Sequence, residues 1–214
     1  MPRISIITPV YRPKPERFEA CATSVLSQSA SSWQWCITDD GSDEEWLTDR
    51  LAALALDDDR IHVAQSARNG GIVRASAEAL SRADADWVIL LDHDDELRPD
   101  AVSQVLRVID AYDEVDFIYS DQILVHEDGS VLDVFEKPGW SPSRLRSQMY
   151  TGHLAAYRTS LARAVGGFRE GFDGAQDYDL ALRVSEAARS IIHIPHPLYR
   201  WVAGEASVVN NADA

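Results

Sequence analysis

The chain has 214 residues, of which 45% are hydrophobic and 26% are charged, and this composition indicates one globular domain with a single large core rather than two domains. A formal net charge of −15 argues against broad, sequence-independent binding to nucleic acid, which needs a basic surface. It leaves open a small phosphorylated ligand held by a metal ion or by helix N-termini.

Cysteine usage and hydropathy predict a reducing compartment and no membrane span. Cys21 and Cys36 are too few and too widely spaced for a structural zinc site, and one pair is weak evidence for disulfides. The N-terminal apolar run is broken by Pro9 and Pro13, which predicts a first strand rather than a signal peptide. No stretch approaches the roughly 18 apolar residues of a spanning helix. We expect a cytoplasmic protein, and peripheral association with the inner face of the membrane stays open.

The first half of the chain alternates strands with single helices. Residues 3–10 and 33–39 are predicted strands, and a helix lies between them because its apolar residues recur at helical spacing. Ser42, with Glu45 three residues later, predicts a capping box for a second helix that runs through Leu56. Such alternation predicts βαβ crossovers and a mainly parallel sheet in a three-layer αβα sandwich, with ligands beyond the strand C-termini.

The alternation continues to about residue 125. Predicted strands at 60–66 and 85–92 flank a helix that begins near Gly71, and a fifth strand covers 115–125. Pro99 suits the first turn of another helix. The core face of that helix consists of Val102, Val105, Leu106 and Ile109.

The second half has a different character and predicts a smaller α+β portion. A hairpin turn is predicted at Asp128–Gly129, a short strand at 153–158, a helix ended by Gly166, and another helix at 176–188. We therefore predict one domain over 1–214. Its first half covers residues 1–125, its second half covers 126–205, and residues 206–214 form a tail.

Acidic residues cluster where predicted strands end, and the densest cluster is "LDHDDELRPD" at 91–100. A solvated turn with one carboxylate at the start of the next helix explains part of it. It does not explain Asp92 and Asp94 together, because residues two apart leave a strand pointing the same way and close carboxylates repel. A divalent ion between them would remove the repulsion, and hard oxygen ligands suit Mg²⁺ or Mn²⁺ bridging to a diphosphate.

Eight motifs in order carry a resemblance to a known family: "SIITPVYRP", "ITDDGSDE", "NGGIVRA", "LLDHDDELRPDA", "YSD", "GHLAAYR", "VGGF" and "GAQDYDLALRV". Over roughly residues 3–201, the chain resembles the inverting family 2 glycosyltransferases of the GT-A fold. The resemblance implies a nucleoside-diphosphate sugar donor, with UDP or dTDP as the usual nucleotide, and a Mn²⁺ or Mg²⁺ cofactor. It further implies a glycan or lipid-linked glycan acceptor in bacterial surface polysaccharide or O-antigen assembly. On this resemblance, residues 1–125 form the nucleotide-sugar-binding half and residues 126–205 the acceptor and catalytic-base half.

The same resemblance implies roles for individual residues. On the donor side, Pro9 and Tyr11 line the nucleobase pocket and Asp40 hydrogen-bonds the base. Arg74 lies near the base or the phosphates. Asp94 matches the metal ligand, with Asp92 in the metal shell or on the ribose. Asp177 matches the catalytic base, and His153 and Trp140 are candidate acceptor contacts.

Each of these residues also has a structural interpretation. Tyr11 could be a strand-end aromatic, Arg74 a surface cation, and Asp40 a cap for the Ser42 helix. Asp177 and Asp179 lie about 200° apart around a helix, so only one of them can face a site. Asp177 is nearer the helix start, where the dipole favours an ionised carboxylate, and we therefore assign the base to Asp177 and a structural role to Asp179.

The chain departs from the family pattern at several positions. Many relatives have Glu at Gln176, Asn at Ala77, "YSDED" where this chain has "YSDQI", and His at Arg200. Because Arg200 stands at the His position, the sequence does not identify a third protein ligand for the metal. His193 and His196 are the nearby histidines that could replace it, although packing or surface roles are more common for such residues.

Two other classes of protein share some of these features. A sugar nucleotidylyltransferase also combines a parallel sheet, a metal and carboxylates, but its usual signal is a Gly-rich basic loop after the first strand, and "TPVYRPKPE" has no glycine. A non-catalytic sugar-nucleotide or glycan-binding module would fit Gln176 and Arg200, whereas Asp94 and Asp177 favour an enzyme. Hydrolysis of a panel of nucleotide sugars separates the three classes.

Overall fold

The computed structural model describes residues 1–203, and the predicted tail, residues 206–214, lies outside them. The strands are β1 (Ile4–Val10), β2 (Trp33–Asp39), β3 (Ile61–Gln65), β4 (Trp87–Leu90), β5 (Glu96–Leu97), β6 (Val115–Val125), β7 (Val131–Phe135), β8 (Ala155–Arg158) and β9 (Ser190–Val202). The helices are α1 (Pro15–Leu26), α2 (Glu45–Asp57), α3 (Ile72–Ser81), α4 (Ala101–Ala111), α5 (Pro142–Ser147), α6 (Thr159–Ala164) and α7 (Gln176–Ala187).

One mixed sheet contains all nine strands, in the order β3-β2-β1-β4-β8-β6-β9-β5, with β7 paired to β6. The pairs β2–β3, β1–β2, β1–β4 and β6–β9 are parallel. Strand β8 is antiparallel to both of its neighbours, β4 and β6. The predicted α/β class is confirmed, and β1 to β4 form the parallel βαβ array that the alternation predicted. The fifth predicted strand, β6, is separated from this array by the antiparallel β8.

The sheet is covered on both faces, which makes the predicted three-layer sandwich. Because successive side chains of a strand point to opposite faces, Ile4 and Ile6 of β1 pack in one core cluster and Ile7 in the other. The first cluster lies under α1, α2 and α4 through residues such as Phe18 and Leu47. The second lies under α3, α6 and α7. Burial on both faces is typical of parallel strands, and it explains why most residues of these strands are apolar.

The predicted capping box at Ser42 is wrong. Helix α2 begins at Glu45, and its N-cap residue, Glu44, makes no side-chain cap hydrogen bond. Ser42 is buried and donates from both its backbone N–H and its hydroxyl to Asp39 Oδ1, at 3.0 and 2.6 Å. Its hydroxyl oxygen also accepts from the Arg12 N–H at 2.9 Å. Local side-chain bonds of this kind compete with helix capping, and here they build the loop after β2.

Two further elements differ in detail from the sequence prediction. Helix α4 begins at Ala101, two residues after Pro99, and the core face that was predicted for it packs against the first cluster. Strand β9 was not predicted, because Pro195 and Pro197 interrupt its pattern. The pairing of β9 with β6 shifts register at this point, so that Ser120 pairs with Ile194 but Asp121 pairs with Pro197. A bulge of this kind lets a strand accommodate proline.

Candidate active site

A cleft opens at the carboxyl ends of β1, β2 and β4, where βαβ sheets bind ligands. It has an outer chamber of about 290 Å³, lined by Pro9, Val10, Tyr11, Asp40, Asn69, Ile72, Ala75, Asp92, His93 and Asp94. Beside it lies an inner recess of about 20 Å³, lined by Ile7, Pro9, Ser76, Leu90, Leu91, Asp92, His153, Phe168, Gln176 and Asp177. Pro9 and Asp92 line both. The cleft thus brings together five of the six predicted donor-side residues, the predicted base and His153.

Asp40 holds one wall of the outer chamber in place. Its carboxylate is buried and accepts the backbone N–H groups of Gly70 and Gly71, at 2.9 and 2.7 Å. The loop after β2 approaches this second loop so closely that a Cβ on Gly41 would lie 2.6 Å from the carbonyl carbon of Arg68. Asp40 does not cap α2, contrary to its structural interpretation. Its remaining lone pairs are available to the chamber that it lines.

The outer rim of the chamber carries an exposed aromatic ring and exposed cations. Tyr11 is 40% exposed, and the Arg12 guanidinium lies 5.4 Å from its ring centroid. His93, which sequence reasoning missed, places Nδ1 3.2 Å from the Pro9 carbonyl oxygen. Arg74 is exposed, is not part of the chamber lining, and lies against Gly70. The Tyr11 ring is therefore accessible for stacking. Arg74 lies beside the loop at Gly70, which Asp40 binds.

The four carboxylates after β4 have different surroundings. Asp92 and Asp94 line the cleft, whereas Asp95 is buried and accepts from the Val202 N–H and the Tyr199 hydroxyl, both at 2.8 Å. Glu96 forms ion pairs with Arg17 at 3.7 Å and Arg200 at 3.2 Å. Asp92 and Asp94 therefore line the cleft, and Asp95 and Glu96 hold the segment that carries them in place.

Negative charge accumulates at Asp92. Its withdrawal from bulk water raises the pKa of Asp92, and the neighbouring carboxylates of Asp94 and Asp177 raise it further, while His153 lowers it. His153 Nε2 lies 3.4 Å from Asp92 Oδ2. The backbone N–H of Asp92 is held by the Tyr199 hydroxyl at 3.2 Å. Three carboxylates therefore act on one another across the junction of the two chambers, with one histidine beside them.

The donor set of the cleft fits a divalent cation that binds together with its substrate. Among residues 1–203, no three His, Cys, Asp or Glu side chains converge in the manner of a preformed metal site. The cleft instead offers hard oxygen donors from Asp92 and Asp94, and Mg²⁺ is usually held by one or two carboxylates plus substrate phosphates. Burial is the main cause of the raised pKa of Asp92, and the neighbouring carboxylates of Asp94 and Asp177 add to it. A cation would offset the repulsion from these carboxylates.

Helix α7 separates its two aspartates as the helical geometry predicted. Asp177 lines the recess, and its Oδ1 accepts the Tyr178 N–H at 2.7 Å. Asp179 is buried and forms ion pairs with Arg169 and Arg183. Burial alone would raise the pKa of Asp179, but hydrogen bonds from these two arginines lower it. Asp179 therefore stabilises the fold, and Asp177 is the carboxylate that faces the recess.

Lys137, which sequence reasoning missed, holds the segment that carries His153. Its ammonium donates to the carbonyl oxygens of Thr151 and His153, at 2.6 and 2.5 Å, and its backbone N–H donates to Asp121 at 2.8 Å. Burial lowers the pKa of Lys137 to about 7. The His153 ring stacks on Tyr199 with 4.7 Å between centroids. No local sequence signal identifies Lys137, because its partners lie 14 to 16 residues away.

The candidates for a third metal ligand do not line either chamber. Arg200, at the family's His position, forms an ion pair with Glu96 and donates to the Gly129 carbonyl oxygen at 3.1 Å. His193 lies 2.7 Å from Asp121 and stacks on a tyrosine, and His196 lies 3.4 Å from Asp100 near the surface.

Trp140, a predicted acceptor contact, packs in the second core cluster. Its ring makes an edge contact with Phe117 at 6.4 Å and stacks on Tyr150 at 6.5 Å. It lines neither the outer chamber nor the inner recess. A contact between Trp140 and an acceptor stays a prediction. The location of the ring against the core does not support it.

The fold is that of the GT-A glycosyltransferases. The chain superimposes on S. aureus TarS, residues 1–349, in complex with UDP-GlcNAc with a TM-score of 0.80 at 19% sequence identity, covering 99% of this chain and 62% of that one. No helix among residues 1–203 has the length and apolarity needed to cross a bilayer.

The family is shown by sequence. The model of glycosyl transferase family 2 matches residues 5–166. The chain is 38% identical over 206 residues to the O-antigen biosynthesis protein RfbC of Myxococcus xanthus, covering 96% of this chain and 16% of the relative. It is 29% identical over 215 residues to a chondroitin synthase of Pasteurella multocida, covering all of this chain and 22% of the relative. The chain belongs to the family 2 glycosyltransferases, and it spans about a fifth of the length of these relatives.

Proposed function

We propose that this chain is a metal-dependent, inverting glycosyltransferase that moves a sugar from a nucleoside-diphosphate sugar to an acceptor hydroxyl. The observation that carries the proposal is that the outer chamber and the inner recess adjoin and share Pro9 and Asp92 in their linings. Asp94 lines the outer chamber, Asp177 lines the inner recess, and Asp92 lines both. A donor whose nucleotide occupies the outer chamber would place its anomeric carbon near this junction, between a diphosphate site and a carboxylate.

The proposed chemistry is a single in-line displacement. An acceptor hydroxyl transfers its proton to the Asp177 carboxylate as its oxygen forms a bond to the anomeric carbon. The bond between that carbon and the phosphate oxygen breaks on the opposite side, which inverts the anomeric centre and releases a nucleoside diphosphate. A Mn²⁺ or Mg²⁺ ion held by Asp94 and Asp92 would supply charge neutralisation for the leaving diphosphate. Tyr11, Pro9 and Asp40 would orient the nucleoside.

The donor and the setting follow from the relatives. The structure of TarS contains UDP-GlcNAc, RfbC is named for O-antigen biosynthesis, and TuaG of Bacillus subtilis is a putative teichuronic acid biosynthesis glycosyltransferase. We infer a UDP or dTDP sugar donor and a glycan or lipid-linked glycan acceptor in bacterial cell-surface polysaccharide synthesis. The proposal assigns the reaction to the cytoplasm, with any contact with the membrane at its inner face.

Slow hydrolysis of donors tests the proposal without knowledge of the acceptor. The purified protein is incubated with UDP and dTDP sugars and Mn²⁺, and release of nucleoside diphosphate is measured. We expect release from the wild type and from Asp57→Asn, an exposed control on α2, and a loss of at least about a hundredfold in Asp177→Asn. Pyrophosphate exchange would instead indicate a nucleotidylyltransferase. Tight binding of a nucleotide sugar with no turnover, even with glycan acceptors added, would indicate a binding module.

A further inference from the structure

Lys137 is a cation that the proposed chemistry does not use, and it lines neither the outer chamber nor the inner recess. It follows β7 by two residues and is partly buried, with its ammonium among backbone carbonyl oxygens. Burial lowers the pKa of Lys137 to about 7, although the nearby Asp121 carboxylate opposes the shift. Because the charged form is costly in this position, the stability of the fold alone does not explain a lysine here.

The ammonium of Lys137 holds a turn of the chain. Nζ donates to the carbonyl oxygens of Thr151 and His153, at 2.6 and 2.5 Å. Gly152, between them, has a φ of 34°, and a Cβ on it would lie 3.2 Å from Gln122 Oε1 and 3.7 Å from Lys137 Nζ. Hydrogen bonds from a charged donor are about twice as strong as neutral ones, so one side chain fixes both ends of this turn.

Lys137 is itself anchored to the sheet. Its backbone N–H donates to Asp121 Oδ1 at 2.8 Å, and His193 Nε2 lies 2.7 Å from the same oxygen. Asp121 is buried on β6, and His193 lies on the neighbouring strand β9. The side chain of Lys137 therefore joins a fixed point of the sheet to the turn at Thr151–His153.

The turn carries His153 to the wall that the two chambers share. The His153 ring stacks on Tyr199, with 4.7 Å between centroids, and its Nε2 lies 3.4 Å from Asp92 Oδ2. Burial raises the pKa of Asp92, and His153 opposes this rise more than any other neighbour does. A change in the turn would therefore move the group that acts most favourably on the Asp92 carboxylate.

We propose that Lys137 is a positioning residue for the metal site, because it binds the turn that keeps the His153 ring beside Asp92. The ring in turn orients the Asp92 carboxylate, which shares with Asp94 in holding the divalent ion. Partners of metal ligands commonly act in this way, and their loss costs about 10- to 100-fold in metal affinity. The inference rests on the proposed function and names the residues that keep its metal site in shape.

The first test measures the affinity for the metal rather than turnover. UDP is titrated calorimetrically at a series of Mn²⁺ concentrations, which gives an apparent Kd for Mn²⁺. We expect Lys137→Met, which keeps the length of the side chain but removes the ammonium, to raise this Kd at least about tenfold. Lys137→Gln is measured in the same way, so that the comparison stands if the methionine variant does not fold.

Arg163→Met is the matched control. Arg163 also donates to backbone carbonyl oxygens, those of Leu80 and Ala83 at 2.8 and 2.6 Å, but it lines neither chamber of the cleft. We expect its apparent Kd for Mn²⁺ to equal that of the wild type, whatever its effect on stability. A Kd within about threefold of the wild type in the folded Lys137 variants would overturn the proposal, since loss of a positioning partner costs more than this.

A double-mutant cycle tests whether Lys137 acts through His153. His153→Phe keeps a ring that can stack on Tyr199 but removes the nitrogen that faces Asp92. If Lys137 only positions this ring, the double variant should bind Mn²⁺ within about threefold of His153→Phe alone, because coupled residues are not additive. Losses that multiply in the double variant would show that Lys137 acts by another route, and would overturn the proposal.

These binding measurements separate the inference from the proposed function, since they require no turnover. If the Lys137 variants lose Mn²⁺ affinity but the wild type hydrolyses no nucleotide sugar, the positioning role stands and the proposed catalysis fails. If the wild type hydrolyses nucleotide sugars and the Lys137 variants keep its Mn²⁺ affinity, the catalysis stands and the positioning role fails.

Discussion

Asp92, Asp94, Asp95 and Glu96 follow the same strand, yet each has a different neighbour. Asp95 is completely enclosed, and burial raises its pKa well above the usual value despite two hydrogen-bond donors. Asp94 is exposed at the chamber wall. A dense acidic motif therefore combines residues that can meet a ligand with residues that secure the loop.

At the residue scale, the sharpest prediction concerns Asp94. Asp94→Asn keeps the side-chain size but removes the charge, so we expect turnover in Mn²⁺ to fall about 10³-fold, which corresponds to the several kcal/mol that a catalytic metal supplies. Chelation of the metal should reduce the wild type to a similar level, and added Mn²⁺ should restore the wild type only. Full activity of the variant, or of the metal-free wild type, would exclude the metal proposal.

Sequence reasoning identified most residues of the cleft but not their contacts. Asp40, Asp92, Asp94 and Asp177 could be selected because carboxylates after predicted strands or at helix starts converge at one edge of a sheet. Both carboxylate oxygens of Asp40 bind the loop at Gly70. This contact joins residues 30 positions apart, and no local pattern encodes it. The same holds for Lys137.

At the scale of elements, helix α1 supports the acidic loop through Arg17. The Arg17 side chain is only 12% exposed, and its guanidinium donates to the Asp94 carbonyl oxygen at 3.1 Å and pairs with Glu96. It also reaches the Glu127 carbonyl oxygen, at 3.4 Å, in the turn between β6 and β7. One side chain thus connects α1, the loop that presents Asp94, and the following hairpin.

We expect Arg17→Ala to weaken Mn²⁺-dependent UDP binding about tenfold, because the backbone of Asp94 loses its support. The measurement is calorimetric titration of UDP at a series of Mn²⁺ concentrations. Arg17→Lys should recover part of the affinity, since an ammonium can still donate to the carbonyl. Arg50→Ala, which removes a partly exposed pair with Glu19, serves as the control and should bind as the wild type does. Equal Kd values for Arg17→Ala and Arg50→Ala would contradict the expectation.

The errors in the predicted elements have separate physical causes. Strand β9 contains Pro195 and Pro197, which cannot donate to a ladder, and only its bulged pairing with β6 shows how a strand tolerates them. The Ser42 box failed because Asp39, three residues earlier, competes for the same hydroxyl. Strongly periodic helices such as α4 were predicted correctly, since their apolar faces are determined by local spacing.

At the scale of the whole molecule, Asp116 of β6 connects the first half of the chain to two parts of the second half. The carboxylate is about 5% exposed and pairs with Arg158 of β8 and with Arg189, which precedes β9. Hydrogen bonds from Arg189 and Arg158 hold the pKa of Asp116 well below its usual value, although burial opposes them. A group with a depressed pKa in the folded state stabilises the fold above its unfolded pKa, and this contribution is lost as the pH falls.

We therefore expect Asp116→Asn to lower the free energy of unfolding by about 2 kcal/mol at pH 7, since one partner of a buried pair is removed while Arg189 stays partly hydrated. The difference from the wild type should persist down to about pH 4 and shrink below it, because the carboxyl of the unfolded wild type then becomes protonated while the folded one stays ionised. Urea denaturation at pH 7, 5 and 3 measures it. A difference that is constant from pH 7 to pH 3 would show that the charge of Asp116 is not its source.

The architecture was predictable in its first half and less so in its second. Alternating strands and helices determine a parallel βαβ array almost by themselves, because crossovers of this length have one favoured hand and arrangement. The insertion of β8 between β4 and β6 leaves no such signal. It joins strands that are far apart along the chain, and the hydrophobic pattern of "HLAAYR" is the same for either neighbour or either direction.

The position of β8 also bears on how the polypeptide becomes compact. Strand β4 ends at Leu90, but the strand that covers its open edge begins at Ala155 and is itself closed by β6. During synthesis on the ribosome, the edge of β4 therefore stays unpaired until tens of further residues have been made. Closing such a long loop is slow. We therefore expect a fragment ending near residue 125 to be insoluble by itself, as it would be if the two halves fold as one cooperative unit.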